Sequence, residues 1–365
     1  MDAYPPSNSK RKNAPATVYD YSSSGPVLSQ SALYDHLNKV SRSFALTIPL
    51  MPAPLRDYIS LAYLVCRIVD TVEDDAKAAT VDKITWLSDF SFLAGDEFEQ
   101  HDVLLGLRQR ALELTQAGSN EYEVALIADL ERAINLLMSF PDEVKEVICH
   151  GVAILGHGMA SAQRKSLEEA QIINLDDVDN YCYFVAGVVG EMLAELFSLS
   201  DKKADKKDLM ELAVSFGEGL QLTNILRDRA QDSLRGVSFL PASTRDEVLD
   251  YVALTQGHLD DAIDFICTLS PKESAGVRLF CLTNVAMAMY LLRKVARNPL
   301  DPECNYKISR ANTKRLFILC RLAVRANWSV HALSFILSLG MKSARRSARQ
   351  LRDKVSIWDH SSTTN

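Results

Sequence analysis

The feature that most constrains the fold is the spacing of apolar residues, which recur every three or four positions from Ser31 almost to the end of the chain. Clear examples are the stretches 55–72, 129–140 and 183–199. This spacing places apolar side chains on one face of an α-helix, whereas a half-buried strand alternates every second residue. No stretch shows sustained alternation bounded by hairpin turns. We therefore predict an all-α fold.

Breaks between the predicted helices coincide with prolines, and no stretch indicates a linker or an internal repeat. Proline interrupts a helix because it lacks a backbone N–H and clashes with the preceding turn. The predicted breaks are at Pro141, Pro241, Pro271, Pro299 and Pro302. We predict a disordered leader at 1–30, one helical domain at 31–341 and a basic tail at 342–365 that forms a short basic helix.

Composition, charge and cysteine content exclude several classes of protein. Hydrophobic residues make up 47% of the 365, and the net charge of −7 gives no support for nucleic-acid binding. Seven cysteines without a CxxC pair indicate reduced core thiols and a cytoplasmic protein, and the histidines lack zinc-site spacing.

Because Arg321 and Arg325 interrupt the apolar stretch 316–341, no transmembrane segment is predicted and the protein should be soluble or peripheral. The basic tail fits either a peripheral contact with anionic lipid or an ordinary charged helix.

Within residues 61–75, an apolar helix leads directly into a cluster of carboxylates. Asp70, Glu73 and Asp74 are three and four apart, so they share one helical face, about 5–6 Å apart at Cβ. Mg²⁺ prefers oxygen ligands of this kind together with water and phosphate. Arg67, one turn earlier, is placed to contact a phosphate. Alone, such a charge run is more often a solvated helix end.

The same design recurs within residues 217–241, where Asp228 and Asp232 are four apart, Arg227 precedes them and Asn224 lies one turn upstream. Two facing helices of this kind would place acidic clusters on opposite walls of an apolar cavity. Such a cavity suits a substrate with a diphosphate head and a hydrocarbon tail. Metal ions would neutralise the leaving diphosphate, and apolar walls would keep water from an allylic cation. The repetition favours the catalytic interpretation.

Five ordered segments resemble the squalene and phytoene synthase family, and the resemblance runs from about residue 37 to residue 310. They are SRSF at 41–44, YLVCRIVDTVEDD at 63–75, GHGMA at 156–160, YCYFVAGVVG at 181–190 and QLTNILRDRAQD at 221–232. The DTVEDD form is closer to the squalene-forming branch. The resemblance implies an all-α prenyltransferase fold with a central cavity. It also implies that two farnesyl diphosphates are joined head to head into presqualene diphosphate, which NADPH then reduces.

The resemblance assigns roles to individual residues. The implied Mg²⁺ ligands are Asp70, Glu73, Asp74, Asp228 and Asp232. The implied contacts of the diphosphate or of the NADPH phosphates are Arg42, Arg67, Arg227, Lys307 and Arg310. The implied substrate-lining positions are Ser41, Ser43, Tyr63, Gln221, Asn224 and Phe280. Tyr181 matches the tyrosine of proton transfer and cation control, a role that a phenol can perform. In a helix of this composition, a tyrosine is otherwise most often a core residue.

Several positions depart from the family pattern. Gln231 stands in place of a Glu, Val237 in place of an Arg, and Asn284-Val285 in place of Pro-Gln. Lys307 fits a stretch used for the NADPH phosphate, whereas Arg310 is displaced by one position. Two alternatives therefore stay open. One is an enzyme that makes presqualene diphosphate, dehydrosqualene or phytoene without a reductant. The other is a non-catalytic helical binding module with solvated acidic clusters.

Overall fold

The computed structural model describes residues 26–41, 43–115, 118–168, 172–234, 238–301 and 306–359. All regular secondary structure within these ranges is helical, which confirms the predicted all-α class. Backbone contacts group the chain into two compact units. The first unit comprises 1–49, 53–170 and 357–365, and the second comprises 50–52 and 171–356. The prediction of one helical domain at 31–341 stays a prediction.

The first unit contains eight α-helices among its described residues. They are α1 (Gln30–Val40), α2 (Phe44–Thr47), α3 (Leu55–Asp74), α4 (Thr80–Gly95), α5 (His101–Thr115), α6 (Glu121–Ala128), α7 (Leu130–Met138) and α8 (Asp142–Leu167). Their core includes Trp86, which stacks on Phe90 with ring centroids 5.1 Å apart and donates its indole N–H to the Leu107 carbonyl at 2.8 Å. A tryptophan with its N–H satisfied in this way can be fully buried.

The described part of the second unit also contains eight α-helices. They are α9 (Leu175–Cys182), α10 (Val188–Ser200), α11 (Lys206–Leu234), α12 (Arg245–Thr268), α13 (Ala275–Arg297), α14 (Arg310–Ala323), α15 (Asn327–Ser338) and α16 (Ala348–Val355). A π-helical turn, Tyr183–Gly187, joins α9 to α10. The helix α11 packs against α10, α12 and α13. A Cβ atom on Gly190 would lie only 2.1 Å from the Ala213 carbonyl oxygen, so glycine there permits the close approach of α10 to α11.

The described prolines confirm the predicted breaks. Pro141 immediately precedes α8, Pro241 and Pro271 lie between helices, and Pro299 follows the end of α13. Pro302 lies outside the described residues. The predicted leader ends a few residues late at residue 30, because the side chains of Val27 and Leu28 are already fully buried. The Leu28 N–H donates to the Arg132 carbonyl at 3.0 Å, and this hydrogen bond anchors the segment to the first unit.

The basic tail forms the predicted short helix, α16, but its charges are neutralised inside the second unit. Arg346 makes two hydrogen bonds of 2.9 Å to Asp179, and Arg352 donates to Glu191 at 2.7 Å. Arg345 and Lys354 also pair with carboxylates of the same unit. Because these cations already have partners, the lipid contact predicted for the tail has no support, and the ordinary charged helix is the better interpretation.

Among the described residues, two helical segments are long and apolar enough to be candidates for crossing a membrane, Leu175–Ser200 and Ala275–Arg297. Their most apolar windows are 56% and 72% buried within the protein, as in core helices. The described cysteines are all free thiols, and five of the six are buried. Burial raises the pKa of the Cys320 thiol to about 12, so it stays protonated and unreactive. Cys304 lies outside the described residues.

Candidate active site

Helix α3 carries most of the predicted site of the first unit along one face. Tyr63, Arg67, Asp70 and Asp74 are spaced four, three and four apart, which places them in one stripe. Apolar side chains such as Leu64, Val65, Ile68 and Val69 are fully buried, so packing fixes the orientation of the polar face. The helix therefore presents its carboxylates at its C-terminal end, as the sequence predicts.

The fourth carboxylate of this motif is structural. Asp75 ends α3, is only 3% exposed, and accepts hydrogen bonds from the backbone N–H groups of Lys77 (2.9 Å) and Ala78 (3.0 Å). The hydroxyl of Ser119 also donates to it, at 3.2 Å. Because its oxygens hold the turn after the helix, Asp75 is not available as a metal ligand.

Asp70, Glu73 and Asp74 crowd together at the C-terminal end of α3, and nearby cations compensate their charge only in part. Burial, and then repulsion from Asp74, raise the pKa of Asp70 to about 7. The same two causes, in the same order, raise the pKa of Glu73 to about 7. Gln163 of α8 donates to a Glu73 carboxylate oxygen at 2.6 Å, and Lys83 donates to the Glu73 backbone carbonyl at 2.7 Å. These contacts position Glu73 without removing the crowding of charge.

Polar and cationic positions continue this face toward α2. Ser41 is buried, accepts the Phe44 backbone N–H at 3.0 Å and is hydrogen-bonded to Tyr63. Burial raises the pKa of the Tyr63 phenol, which stays neutral. The Arg67 guanidinium pairs with Glu123 of α6. Ser43 is exposed, and Arg42 lies outside the described residues.

Helix α11 presents the second motif in the same manner. Gln221, Asn224, Asp228 and Asp232 are spaced three, four and four apart along one exposed or partly exposed stripe. Arg227 donates its Nε–H to the neighbouring Asp228 at 2.8 Å. This hydrogen bond, and the charges of Asp228 and Asp232, raise the pKa of Arg227 above its ordinary value. The second motif is thus partly neutralised by its own arginine.

Tyr181 lies near the end of α9, immediately before the π-helical turn. It is partly exposed, and its ring stacks on Phe239 with centroids 4.9 Å apart. Tyr183, two residues later, is fully buried and donates its hydroxyl to Glu191 at 3.1 Å. π-Helical turns often occur at functional sites. Beside this turn, Tyr181 keeps an accessible surface, whereas Tyr183 is committed to the core.

The other predicted residues lie elsewhere in the second unit. Phe280 is 2% exposed and packs edge-to-face with Phe197, so its proposed contact with substrate stays a prediction. Lys307 is exposed, and its backbone carbonyl accepts a hydrogen bond from Lys294 at 2.9 Å. Arg310 is exposed at the first position of α14.

Four residues that support the site were missed by sequence reasoning. They are Lys83, Glu123, Gln163 and Phe239. Three of them contact the α3 motif from other helices, and Phe239 contacts Tyr181 from the chain that follows α11. Sequence spacing gives no signal for such contacts, because the partners are separated by 10 to 90 residues.

Within the described part of the chain, no group of three or more His, Cys, Asp or Glu side chains is arranged to hold a metal ion. The donor set on α3 nevertheless has the chemistry of a magnesium site. Burial, and then the negative charge of Asp74, raise the pKa values of Asp70 and Glu73, and a divalent cation would offset both effects by stabilising the charged carboxylates. The predicted ligands on α3 therefore fit Mg²⁺ by charge and by donor type.

Enzymes commonly bind Mg²⁺ through one or two carboxylates together with the phosphates of a substrate. The squalene/phytoene synthase family model matches residues 37–248 of the chain. The protein therefore belongs to the squalene/phytoene synthase family, as its sequence motifs predict.

Individual relatives agree with this assignment. The chain is 34% identical to a squalene synthase of Botryococcus braunii over 210 residues, covering 57% of this chain and 41% of that one. It is 28% identical to a squalene synthase of Candida albicans over 318 residues, covering 79% of this chain and 66% of the relative. The matched portion thus spans less than two thirds of these relatives.

Solved structures support the fold. The structure of TcSQS in complex with the ligand BPH1237 has a TM-score of 0.68 at 22% identity, covering 90% of this chain and 97% of that one. A dehydrosqualene synthase structure has a TM-score of 0.52 at 18% identity, covering 80% and 95%. At these identities the likeness establishes the isoprenoid synthase helical fold alone.

Proposed function

We propose that the protein is a squalene synthase. In the first step it joins two farnesyl diphosphates head to head into presqualene diphosphate, with release of one diphosphate. In the second step the intermediate loses its remaining diphosphate, rearranges and is reduced by NADPH to squalene. The observation that carries the proposal is the crowded carboxylate face of α3, where Asp70 and Glu73 have pKa values of about 7. The relatives named squalene synthases support the choice of reaction.

The proposed magnesium ligands are Asp70, Glu73 and Asp74 on α3 and Asp228 and Asp232 on α11. Bound Mg²⁺ would neutralise the diphosphate and so lower the barrier to breaking the carbon–oxygen bond. The chain's own residues then bind and orient the substrate. Arg67 and Arg227 stay protonated, since their pKa values are raised, and each can exchange its present carboxylate partner for a diphosphate oxygen.

Tyr181 is the proposed acid and cation-stabilising group. Its stacking on Phe239 fixes the plane of the ring, so that one ring face and the hydroxyl have a defined direction. The hydroxyl can donate a hydrogen bond to the departing diphosphate, and the ring face can stabilise a nearby allylic cation. Tyr63 is a second candidate for this role, and its hydrogen bond with Ser41 on the face that bears Asp70 supports the choice.

The reductive step depends on cations that recognise the NADPH phosphates. The proposed residues are Arg42, Arg67, Arg227, Lys307 and Arg310. Lys307 and Arg310 are both exposed and can reach a ligand. The displacement of Arg310 from the family position favours one second candidate, an enzyme that ends at presqualene diphosphate or dehydrosqualene without a reductant. We further propose a cytoplasmic location, because the described cysteines are free thiols.

The test is an anaerobic incubation of the full chain with farnesyl diphosphate and Mg²⁺, with and without NADPH, followed by product identification by mass. We expect presqualene diphosphate without NADPH and squalene with it. Presqualene diphosphate that NADPH leaves unchanged would select the non-reductive candidate. Absence of any condensed product, with a correctly folded chain, would reject both and leave a non-catalytic binding module.

A further inference from the structure

The outward faces of α14 and α15 are unusually apolar. On α15, Trp328 is 77% exposed, Phe335 67% and Ile336 56%, and on α14, Leu322 is 74% exposed. Single exposed apolar side chains are ordinary, but a contiguous group of them marks an interaction surface. We call these outward sides, residues 314–339, the α14–α15 face.

Helix α15 is apolar on both of its sides, unlike an ordinary surface helix. Its buried side carries Val330, Leu333 and Ser334, and the Ser334 hydroxyl contacts the Met289 sulfur at 3.9 Å, whereas Phe335 and Ile336 are exposed to solvent. Trp328, Phe335, Ile336 and Leu339 are spaced seven, one and three apart, which places them in one stripe. A helix of a water-exposed surface would place polar residues in that stripe. The exposed stripe is therefore suited to contact with an apolar environment.

The charge around this face is of one sign. Residues 306–341 contain six Lys or Arg and no Asp or Glu. Within the described chain, four of these cations on or next to α14 make no ion pair with a carboxylate; they are Lys314, Arg315, Arg321 and Arg325. This differs from the basic tail, whose arginines are paired inside the second unit. The uncompensated positive charge favours an anionic partner.

A pocket of about 530 Å³ opens at the same face. Its walls are apolar, with Leu279 of α13 on one side and Ile318 and Leu322 of α14 on the other, and Arg321 and Arg325 also line it. Apolar walls beside two guanidinium groups are suited to a hydrocarbon chain with an anionic phosphate head.

We propose that the α14–α15 face docks on a membrane surface rich in anionic phospholipid. Helix α15 has 12 residues, about 18 Å in length, and is therefore too short to span a bilayer of about 30 Å. An apolar stripe flanked by cations is the arrangement of a helix that lies in the interface plane. A second copy of the chain fits less well, because a two-fold contact through this face would bring positive charge against positive charge. This docking does not depend on the proposed chemistry.

The test compares flotation of the full chain with phosphatidylcholine vesicles and with vesicles that contain about 30% phosphatidylglycerol. We expect binding to the anionic vesicles to be at least tenfold stronger and to weaken in high salt. Two double variants should each lose binding to the anionic vesicles: Phe335→Ser/Ile336→Ser and Arg321→Glu/Arg325→Glu. The matched controls Phe92→Ser and Arg349→Glu, at positions that are also exposed, should keep it.

Tryptophan fluorescence keeps the test informative if a double variant unfolds. Of the three tryptophans, Trp86 and Trp358 are buried and Trp328 is exposed. Anionic vesicles should shift the emission of the unmodified chain to the blue, and Trp328→Phe should abolish the shift. Equal binding to neutral vesicles, full binding by folded double variants, or a shift that survives Trp328→Phe would overturn the proposal. So would a lipid-free dimer that Phe335→Ser/Ile336→Ser dissociates, which would assign the face to a second copy.

Discussion

The two aspartate-bearing helices share a spacing but differ in how their charge is balanced. On α3, Asp70, Glu73 and Asp74 crowd together, and the nearest arginine, Arg67, is paired with Glu123. On α11, Asp228 is held directly by its neighbour Arg227. The α3 carboxylates therefore have a stronger need for an added cation. On α11 the balance can change when substrate binds: a diphosphate that competes for Arg227 would free the Asp228 carboxylate.

The largest expected effect comes from removing one carboxylate of α3. Asp70→Asn should lower kcat/KM for farnesyl diphosphate about a thousandfold, because it removes a carboxylate that we propose as a central magnesium ligand. Asp228→Asn should cost less, since its charge is already balanced by Arg227. Steady-state assays of diphosphate release measure both. Asp142→Asn, at an exposed carboxylate with no site contact, is the matched control. A larger loss of kcat/KM in Asp228→Asn than in Asp70→Asn would contradict the stronger need of the α3 carboxylates for a cation.

Removal of the Tyr181 hydroxyl should have the next largest effect. Tyr181→Phe keeps the stacking on Phe239 and removes the hydroxyl that we propose as the acid, so kcat should fall about a hundredfold with little change in stability. Tyr183→Phe is the matched control: it removes a buried hydrogen bond to Glu191 and should lower the free energy of unfolding by about 1 kcal/mol while kcat is retained. Equal loss of kcat in both variants would argue against a chemical role for Tyr181.

The affinity for Mg²⁺ should depend on pH in the neutral range. Ligand carboxylates must be deprotonated to bind metal, and the metal-free pKa values of Asp70 and Glu73 are about 7. Titration calorimetry should therefore show weaker binding near pH 6 than near pH 8, by about tenfold for each of the two carboxylates that must lose a proton. A dissociation constant that is the same at both pH values would show that these carboxylates are not ligands.

The smallest expected effect is on the stability of the metal-free protein. The pKa of Asp70 is about 7 in the folded state and near 4 in the unfolded chain, so the folded state holds the extra proton between these values. The free energy of unfolding therefore falls as pH rises from about 4 through about 7. Asp70→Asn should remove this loss and stabilise the metal-free protein by about 1–2 kcal/mol near pH 8, as measured by urea denaturation. Lower stability of the variant at that pH would contradict the charge crowding on α3.

Much of this arrangement follows from the sequence alone. Apolar spacing gave the helices, prolines marked their ends, and i, i+4 spacing placed Asp70 with Asp74 and Asp228 with Asp232 on single faces. These features are local, since each depends on residues within one or two helical turns. Local patterns are therefore sufficient to predict the two carboxylate faces.

Features that depend on distant partners were not predictable. Asp75 looks like its neighbours in sequence, yet Ser119 and the turn after α3 hold it as a structural group. The basic tail looks like a lipid-binding segment, yet Asp179 and Glu191 neutralise Arg346 and Arg352 from more than 150 residues away. In each case tertiary contacts, which spacing does not encode, determine whether a charge is available to a ligand.

The most direct test of the central claim is diphosphate release from farnesyl diphosphate as Mg²⁺ is titrated, with the unmodified chain and Asp70→Asn side by side. The account predicts release that saturates with Mg²⁺ in the unmodified chain, is absent without metal, and is nearly lost in the folded variant. Equal, metal-independent release by both proteins, or none from either at saturating Mg²⁺, would contradict the assignment of the α3 carboxylates as the magnesium site.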